Sequence, residues 1–459
     1  MSISVSLDKR SDTPLYRQLG DALLELIVRG KLAPETKLPP IRQMAQLLDV
    51  NNTTVVSAYK YLERLRAVYS VVGSGTYVAR PVANPAMPEV ELGFPAMADD
   101  FINFTDTAID SALFPVAAFK RAFNTVLDRD GTTAFDCHDS QGHEAFRESL
   151  CQLLEGLGVN VLPDQLHIIS NVQQGLDILA GALLEPGDAV FVERPASQSI
   201  AAAFRSRQAH VIEMPLAKDG PDFSALEGLV KKRRPKLIYV MPNFQQPSGM
   251  CYSAESKRRL LELAHACDAY IIEEDQFSDL YFDGNKKNPL KALDSHRVIY
   301  IRSFSRILAT GFRMGFMACP SRVVALVRGN RELAVPGYFQ RAFDVFLRCG
   351  DYEAHAANLR HEYGRRYQKI VGAVNTYLAG LADYDLPGGG LGLWIRPRRA
   401  NNDAEDYAGG FLKRKVIVSP GRLYSADGDM SGFRISFASV PEERIAGGIG
   451  IIASVLAER

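Results

Sequence analysis

The chain has 459 residues, 47% of them hydrophobic and 23% charged, with 53 Lys+Arg balanced by 53 Asp+Glu. Zero net charge excludes a whole-molecule field that would pull it onto nucleic acid or membrane, and the length calls for two or three domains. The cysteines (Cys137, Cys151, Cys251, Cys267, Cys319 and Cys349) are scattered without a Cys-x-x-Cys pair. Neither a disulfide framework nor a metal site is expected, and a reducing cytoplasmic setting fits best. The polar start MSISVSLDKRSD carries no apolar signal core. No run reaches the roughly 20 apolar residues that cross a bilayer, so no membrane partner is expected.

Charge is unevenly placed. Up to Arg80 there are eleven basic residues against seven acidic ones, a mildly basic head on an acidic body. Residues 11–79 form the first predicted domain. PLYRQLGDALLELIVRG places Leu15, Leu19, Leu23, Leu26 and Ile27 at helical spacing and stops at Gly30. PIRQMAQLLDV reads as a second short helix. Asn51 and Asn52 offer N-cap side chains for a third, TTVVSAYKYLERLRA. VYSVVGSGTYVA then reads as two strands about a Gly-Ser-Gly turn.

Helix, helix, turn, helix and hairpin in this order is the layout of a winged helix-turn-helix, whose third helix fits the major groove of double-stranded DNA. Layout alone also admits a small helical domain with a solvated charged face. LPPIRQMA, TTVVSAYKYLE and GSGTYV match the GntR family in order and spacing, and the segment resembles its winged-helix domain over nearly its whole length. Lys60 lies further along the third helix, on its charged face. The resemblance implies that Arg42 contacts phosphate, that Asn52, Thr53 and Thr54 sit at the groove, and that Ser74 and Gly75 form the wing. Asn52 stands where that family often has arginine, and Ala67 where it usually has glycine.

Residues 80–100, rich in Pro and Ala, read as a semi-stiff linker. From 101 to 459, the runs LHIIS, DAVFVE, AHVIEMP, KLIYVMP, AYIIEED and RVIYIRSF alternate with helical patterns. That alternation predicts an α/β domain around a mainly parallel sheet. Ligands in such folds gather at the carboxyl ends of the strands, where polar clusters follow several of these runs.

MPNFQQPSGM, YIIEEDQFSDLYF, YIRSFSRILATGFRMGF, PGGGLGLWIRP and VSPGRLY followed by FRISF resemble the fold-type I aminotransferase domain. Behind a GntR head this is the MocR arrangement, which implies a smaller C-terminal α/β subdomain and a homodimer with exchanged heads. In that family a lysine holds pyridoxal phosphate as a Schiff base. The resemblance puts Arg306 at the lysine position, and a guanidinium stays protonated and is no nucleophilic amine.

Gln246 falls on the asparagine that bonds the cofactor's phenolic oxygen, Glu274 on the acid that pairs with its ring nitrogen, and Phe277 on the tyrosine. Ser197 falls on the stacking aromatic, Cys137 on a second tyrosine and Asn171 on the phosphate-cup glycine. Ser303, Ser305 and Arg313 match the phosphate cup, and Arg434 the carboxylate-binding arginine.

The expectation is a catalytically inactive body with no catalytic residues and no covalent cofactor. It would sense a small, anionic effector through Arg306, Arg313 and Arg434. A second reading keeps pyridoxal phosphate as a non-covalent effector, and a third makes the body a dimerisation scaffold only. The arginines also admit the plainer role of partners for Glu274 or Asp275. Active transamination is disfavoured by Arg306.

Overall fold

The computed structural model describes residues 14–28, 32, 36–64, 67–71, 75–78, 100–136, 140–328, 335–398, 404–425 and 431–458. Ser74, Cys137 and the predicted linker up to residue 99 lie outside the described residues. Contacts divide the chain into Met1–Glu91 and Leu92–Arg459.

In the first unit, α1 (Leu15–Val28), α2 (Ile41–Leu47) and α3 (Asn52–Arg64) are followed by β1 (Val68–Val71) and β2 (Gly75–Val78). Leu19 and Leu23, one turn apart on α1, are fully buried against Val55, Ala58 and Leu62 of α3. Gly20 explains how closely the two helices meet: a Cβ there would lie 2.5 Å from the Tyr61 ring. The Tyr61 hydroxyl donates to Asp21 at 2.9 Å across the same contact. A mid-helix glycine costs about 1 kcal/mol of propensity, and here it makes room for an aromatic ring. β1 and β2 pair antiparallel, with Tyr69 opposite Tyr77 and their rings stacked at 5.7 Å. Leu38 N–H donates to Thr76 O at 2.8 Å and Val78 N–H to Thr36 O at 2.9 Å, which adds a third extended segment to the wing.

The second unit begins with β3 (Ile102–Asn103), α4 (Val116–Asp130) and α5 (Glu144–Glu155). It continues through β4 (Leu166–Ile169), α6 (Val172–Leu183), β5 (Ala189–Arg194), α7 (Gln198–Arg205), β6 (His210–Ala217), β7 (Gly220–Pro221) and α8 (Phe223–Lys232). Next come β8 (Leu237–Val240), α9 (Ala254–Cys267), β9 (Tyr270–Glu274), β10 (Val298–Ser303), β11 (Gly315–Ala318), α10 (Ser321–Val327), α11 (Gly337–Arg348) and the long α12 (Asp351–Tyr377). The chain ends with β12 (Ala382–Tyr384), β13 (Gly392–Pro397), α13 (Ala404–Lys413), β14 (Val416–Ile417), β15 (Ser419–Pro420), β16 (Phe433–Ser436) and α14 (Glu442–Ala457).

Eight strands form one sheet in the order β4-β11-β10-β9-β8-β5-β6-β7. All six runs predicted as strands lie in it. β5, β6, β8, β9 and β10 pair in parallel. β11 is antiparallel to both of its neighbours, which leaves β4 running with the others. The strands read as unbroken apolar runs because helices cover both faces. β4, β8 and β10 are buried at every position. A second sheet, β12-β13-β16-β15, is antiparallel. β11, GFMA, is absent from the sequence reading because four residues opening on glycine carry little strand signal.

Gly315 of β11 faces Ser303 in the register with β10, and a Cβ there would lie 2.4 Å from the carbonyl oxygen of Arg302. Backbone cannot yield as a side-chain tip can. Gly315→Ala is therefore expected to destabilise the body by about 1–3 kcal/mol, read as a fall in the denaturant midpoint at unchanged slope.

At the carboxyl end of β5, the Glu193 carboxylate is 1% exposed. It accepts from the Tyr252 hydroxyl, from Met241 N–H at 2.9 Å and from the Gln245 amide at 3.0 Å. Burial pushes its pKa up to about 7 against these donors. A carboxyl raised in the folded state contributes stability below its ordinary range that is lost as pH climbs through the raised value. Glu193→Gln removes the titration, so its stability relative to the unsubstituted protein is expected to rise between pH 5 and pH 8. Thermal unfolding of both proteins across that range checks it; a constant difference contradicts it.

Candidate functional site

In the parallel sheet the strand ends share one edge. Asn171 follows β4, Ser197 follows β5, Gln246 follows β8, Glu274 ends β9, and Ser303, Ser305 and Arg306 close β10 and the turn after it. Arg313 lies just ahead of β11, which runs back from that edge. The fold thus brings these predicted residues to one side of one sheet, where open α/β sheets hold ligands. Phe277, three residues past Glu274, is fully buried in the main apolar cluster.

Several of them already have local duties. The Asn171 side chain caps α6, accepting from Gln174 N–H at 2.8 Å. Ser197 Oγ lies 2.9 Å from Ser199 Oγ. The Ser303 hydroxyl donates to Ser305 Oγ at 3.2 Å and accepts from Ser305 N–H at 3.3 Å. Gln246 is half-buried, while its neighbour Gln245 is fully buried and tied to Glu193 and to Pro195 O. Arg313 is exposed.

Glu274 is 2% exposed and accepts from the Tyr239 hydroxyl on one oxygen and from the Gln276 amide on the other. Burial pushes its pKa up, opposed by those two bonds and by the Arg306 charge. The two lysines buried among the described residues are committed elsewhere. Lys257 donates to Asn243 Oδ1 at 2.9 Å and to Asn288 O at 2.7 Å. It couples to Glu273 and Asp275, whose side chains alternate with Glu274 onto the other face of the sheet. Lys291 donates to Ser295 O and Val298 O. Val298 begins β10, roughly 17 Å from Ser303 at about 3.3 Å per residue.

Arg306, in the turn after β10, and Arg434, on β16, come from two parts of the body, and the charge of Arg434 acts on Arg306. Arg434, on β16, is 7% exposed. Its Nη2 donates to Thr105 O and to Ser419 Oγ at 3.2 Å, its guanidinium lies 5.7 Å from the centre of the Tyr424 ring, and its buried Nε has no partner. Arg306 donates to no described residue. Burial and the nearby Arg434 charge lower its pKa, while Asp106 and Glu274 oppose that as the facing negative charges. Two guanidinium groups, the charge of one acting on the other, are thus partly sheltered from water, and one has an unsatisfied donor. Such an arrangement can bind an anion through charge-assisted hydrogen bonds.

The sequence reading missed Thr105, Asp106, Tyr239, Gln276, Ser419 and Tyr424. Tyr239, a hydroxyl inside the apolar run LIYV, is the one with a visible signal. No group of three metal-ligating side chains occurs among the described residues.

In the first unit the cap of α3 is Asn51: its Oδ1 accepts from Thr54 N–H at 2.8 Å and from the Thr53 and Thr54 hydroxyls at 2.7 Å each. Asn52, read beforehand as a second cap, is instead the first helical residue and is exposed, as are Thr53, Lys60 and, on α2, Arg42. Thr54 is half-buried. Gly75 opens β2 at φ +126°, and a Cβ there would lie 2.9 Å from Lys37 Cε.

The sequence matches two family models: aminotransferase class I and II over residues 100–452, and bacterial regulatory proteins of the gntR family over 15–78. It is 25% identical over 455 residues to the uncharacterized HTH-type transcriptional regulator YisV of Bacillus subtilis, covering 94% of this chain and 93% of that one. It is 29% identical over 422 residues to the probable rhizopine catabolism regulatory protein MocR of Rhizobium meliloti, covering 86% and 84%. Among solved structures, the Pyrococcus horikoshii kynurenine aminotransferase superposes with a TM-score of 0.76 at 26% identity, covering 80% of this chain and 93% of that one. A mostly parallel sheet, a second antiparallel sheet and a winged helix-turn-helix ahead of them agree with both matches, and the chain belongs to the class I and II aminotransferase family, carrying a gntR-family head in the manner of the MocR-type regulators.

Proposed function

We propose that this protein is a DNA-binding transcription regulator whose body senses a small anion and forms no Schiff base with pyridoxal phosphate. The pair Arg306–Arg434, with the orphaned Nε of Arg434, carries this reading. A buried donor without an acceptor costs about 1–3 kcal/mol, and an entering anion would supply the acceptor.

The residues present do not fit covalently held pyridoxal phosphate. The position that resembles the attaching lysine is Arg306. The acid for the ring nitrogen, Glu274, already accepts two hydrogen bonds. Phe277 offers no hydroxyl to the phenolic oxygen. Lys257 and Lys291 are bonded to carbonyls elsewhere. Transamination needs an amine to attach the cofactor and move a proton, and neither buried lysine among the described residues is free to supply it.

In this reading the two heads of a homodimer bind two half-sites of DNA. Arg42 and Lys60 hold phosphate, Asn52 reads the groove, and the wing tip of Ser74 and Gly75 lies along the backbone. The effector acts by preferring one arrangement of the protein over another, in proportion to its difference in affinity for the two.

Two measurements test this. Purified full-length protein incubated with pyridoxal phosphate and then borohydride is expected to keep its mass; a stable adduct on a lysine overturns the reading. Binding to its operator should weaken steeply with salt. Lys60→Ala is expected to lower affinity alike for all sequences and to reduce the log–log salt slope by about 1. An unchanged slope removes Lys60 from the phosphate contacts.

A further inference from the structure

The wing carries a positive charge on its outer face. Lys37 lies on the extended segment beside β2, in an antiparallel bridge with Tyr77. Hydrogen bonds on either side fix its backbone: Leu38 N–H donates to Thr76 O at 2.8 Å, and Val78 N–H to Thr36 O at 2.9 Å. Leu38 and Val78 are buried in the core of the head, so Lys37 and Tyr77 face outward by alternation along their strands. Tyr69 on β1 continues the row, its ring stacked on that of Tyr77. Lys37 Nζ lies 5.9 Å from the centre of the Tyr77 ring, a cation facing an aromatic ring. The end of the side chain passes over Gly75: a Cβ there would lie 2.9 Å from Lys37 Cε and 3.7 Å from Nζ. Glycine at this position therefore answers two demands, a φ of +126° and the lysine above it. Lys37 is exposed, and its ammonium pairs with no carboxylate among the described residues.

We propose that Lys37 donates to a backbone phosphate of double-stranded DNA beside the wing. The inference rests on the DNA-binding reading above and adds a contact to it. An ammonium is a compact charge with three donors, which suits a phosphate oxygen and tolerates its angle of approach. What usually weakens a surface lysine is the freedom of its long stem, which is given up on binding. Here the Tyr77 ring and the bare Cα of Gly75 hold the stem in one place before DNA arrives. Gly75 also lets the ammonium sit low over the start of β2; a side chain at that position would push it aside. A phosphate contact fixes the head on the duplex and carries no base preference. Lys37 therefore contributes to affinity for every sequence alike.

The test uses full-length protein and short mixed-sequence duplexes, with affinity read by fluorescence anisotropy across a salt series. Lys37→Met keeps a stem against the ring and removes the charge. It is expected to bind several-fold more weakly at low salt, alike on duplexes of different sequence, and to lower the log–log salt slope by about 0.9 for each head bound. Lys37→Arg, which restores the charge, is expected to restore the slope. A second measurement needs no substitution: acylation of lysines by an amine-reactive ester, read by mass spectrometry with and without duplex. DNA is expected to slow acylation of Lys37 several-fold, with Lys218, exposed on the body, as the reference rate. Three results overturn the inference: a salt slope unchanged in Lys37→Met, a slope that Lys37→Arg fails to restore, or Lys37 acylated as fast with DNA as without it. None of these touches the broader reading, which fails instead if the unsubstituted protein shows no salt-dependent binding to the duplexes.

Discussion

Two like charges that act on each other in partial shelter from water are the constraint around which the body's site is organised. Like charges repel more strongly as water is withdrawn from around them. A fold keeps such a pair only by surrounding it with compensation. Around Arg306 and Arg434 the compensation is visible piece by piece: Asp106 and Glu274 as counter-charges, Thr105 O and Ser419 Oγ as acceptors, and the Tyr424 ring as a polarisable face. It is incomplete at one atom, the Nε of Arg434. The rest of the site follows from this balance. Glu274 is drawn toward ionisation by Arg306 and away from it by burial, and the donors Tyr239 and Gln276 hold it in place.

The architecture was legible in the sequence where patterns are long. Six apolar runs separated by helical stretches gave the large sheet, and leucines four residues apart on α1 gave the core of the head. The grouping of Asn171, Gln246, Glu274, Ser303 and Arg306 followed from a general property of parallel sheets, because each stands at or just past a strand's carboxyl end; Ser197 was placed by resemblance. Arg434 could be placed only by resemblance, since it comes from the second sheet and no local pattern joins FRISF to SFSR. Thr105 and Asp106 were invisible for the same reason: their partners lie 329 and 200 positions away in the chain. The β11 strand was lost because its role depends on Gly315 passing close to the backbone of Arg302, a tertiary demand that leaves no periodic trace. At the start of α3, propensity could not decide between two adjacent asparagines. The structure assigns the cap to Asn51 and leaves Asn52 facing outward.

In the reading proposed above, the scaffold has given up one chemistry and kept the recognition that served it. The strand-end edge, the serines after β10 and the arginine on β16 are features of the fold that remain useful to any anion. What an aminotransferase additionally needs is a neutral amine able to attack a carbonyl. Both buried lysines described here spend their ammonium groups on backbone and amide carbonyls, one on the opposite face of the sheet and one at its opposite edge. Signalling places a different demand on the same parts: a pocket whose empty and filled states differ in what the surrounding chain is doing.

The most direct measurement is an electron-density map of the full-length protein crystallised with both pyridoxal phosphate and a small carboxylate anion present. The account predicts density for the small anion at Arg434, satisfying its Nε, and no bond from a lysine to the pyridine ring. Density for the pyridine ring running continuously into a lysine Nζ would contradict it.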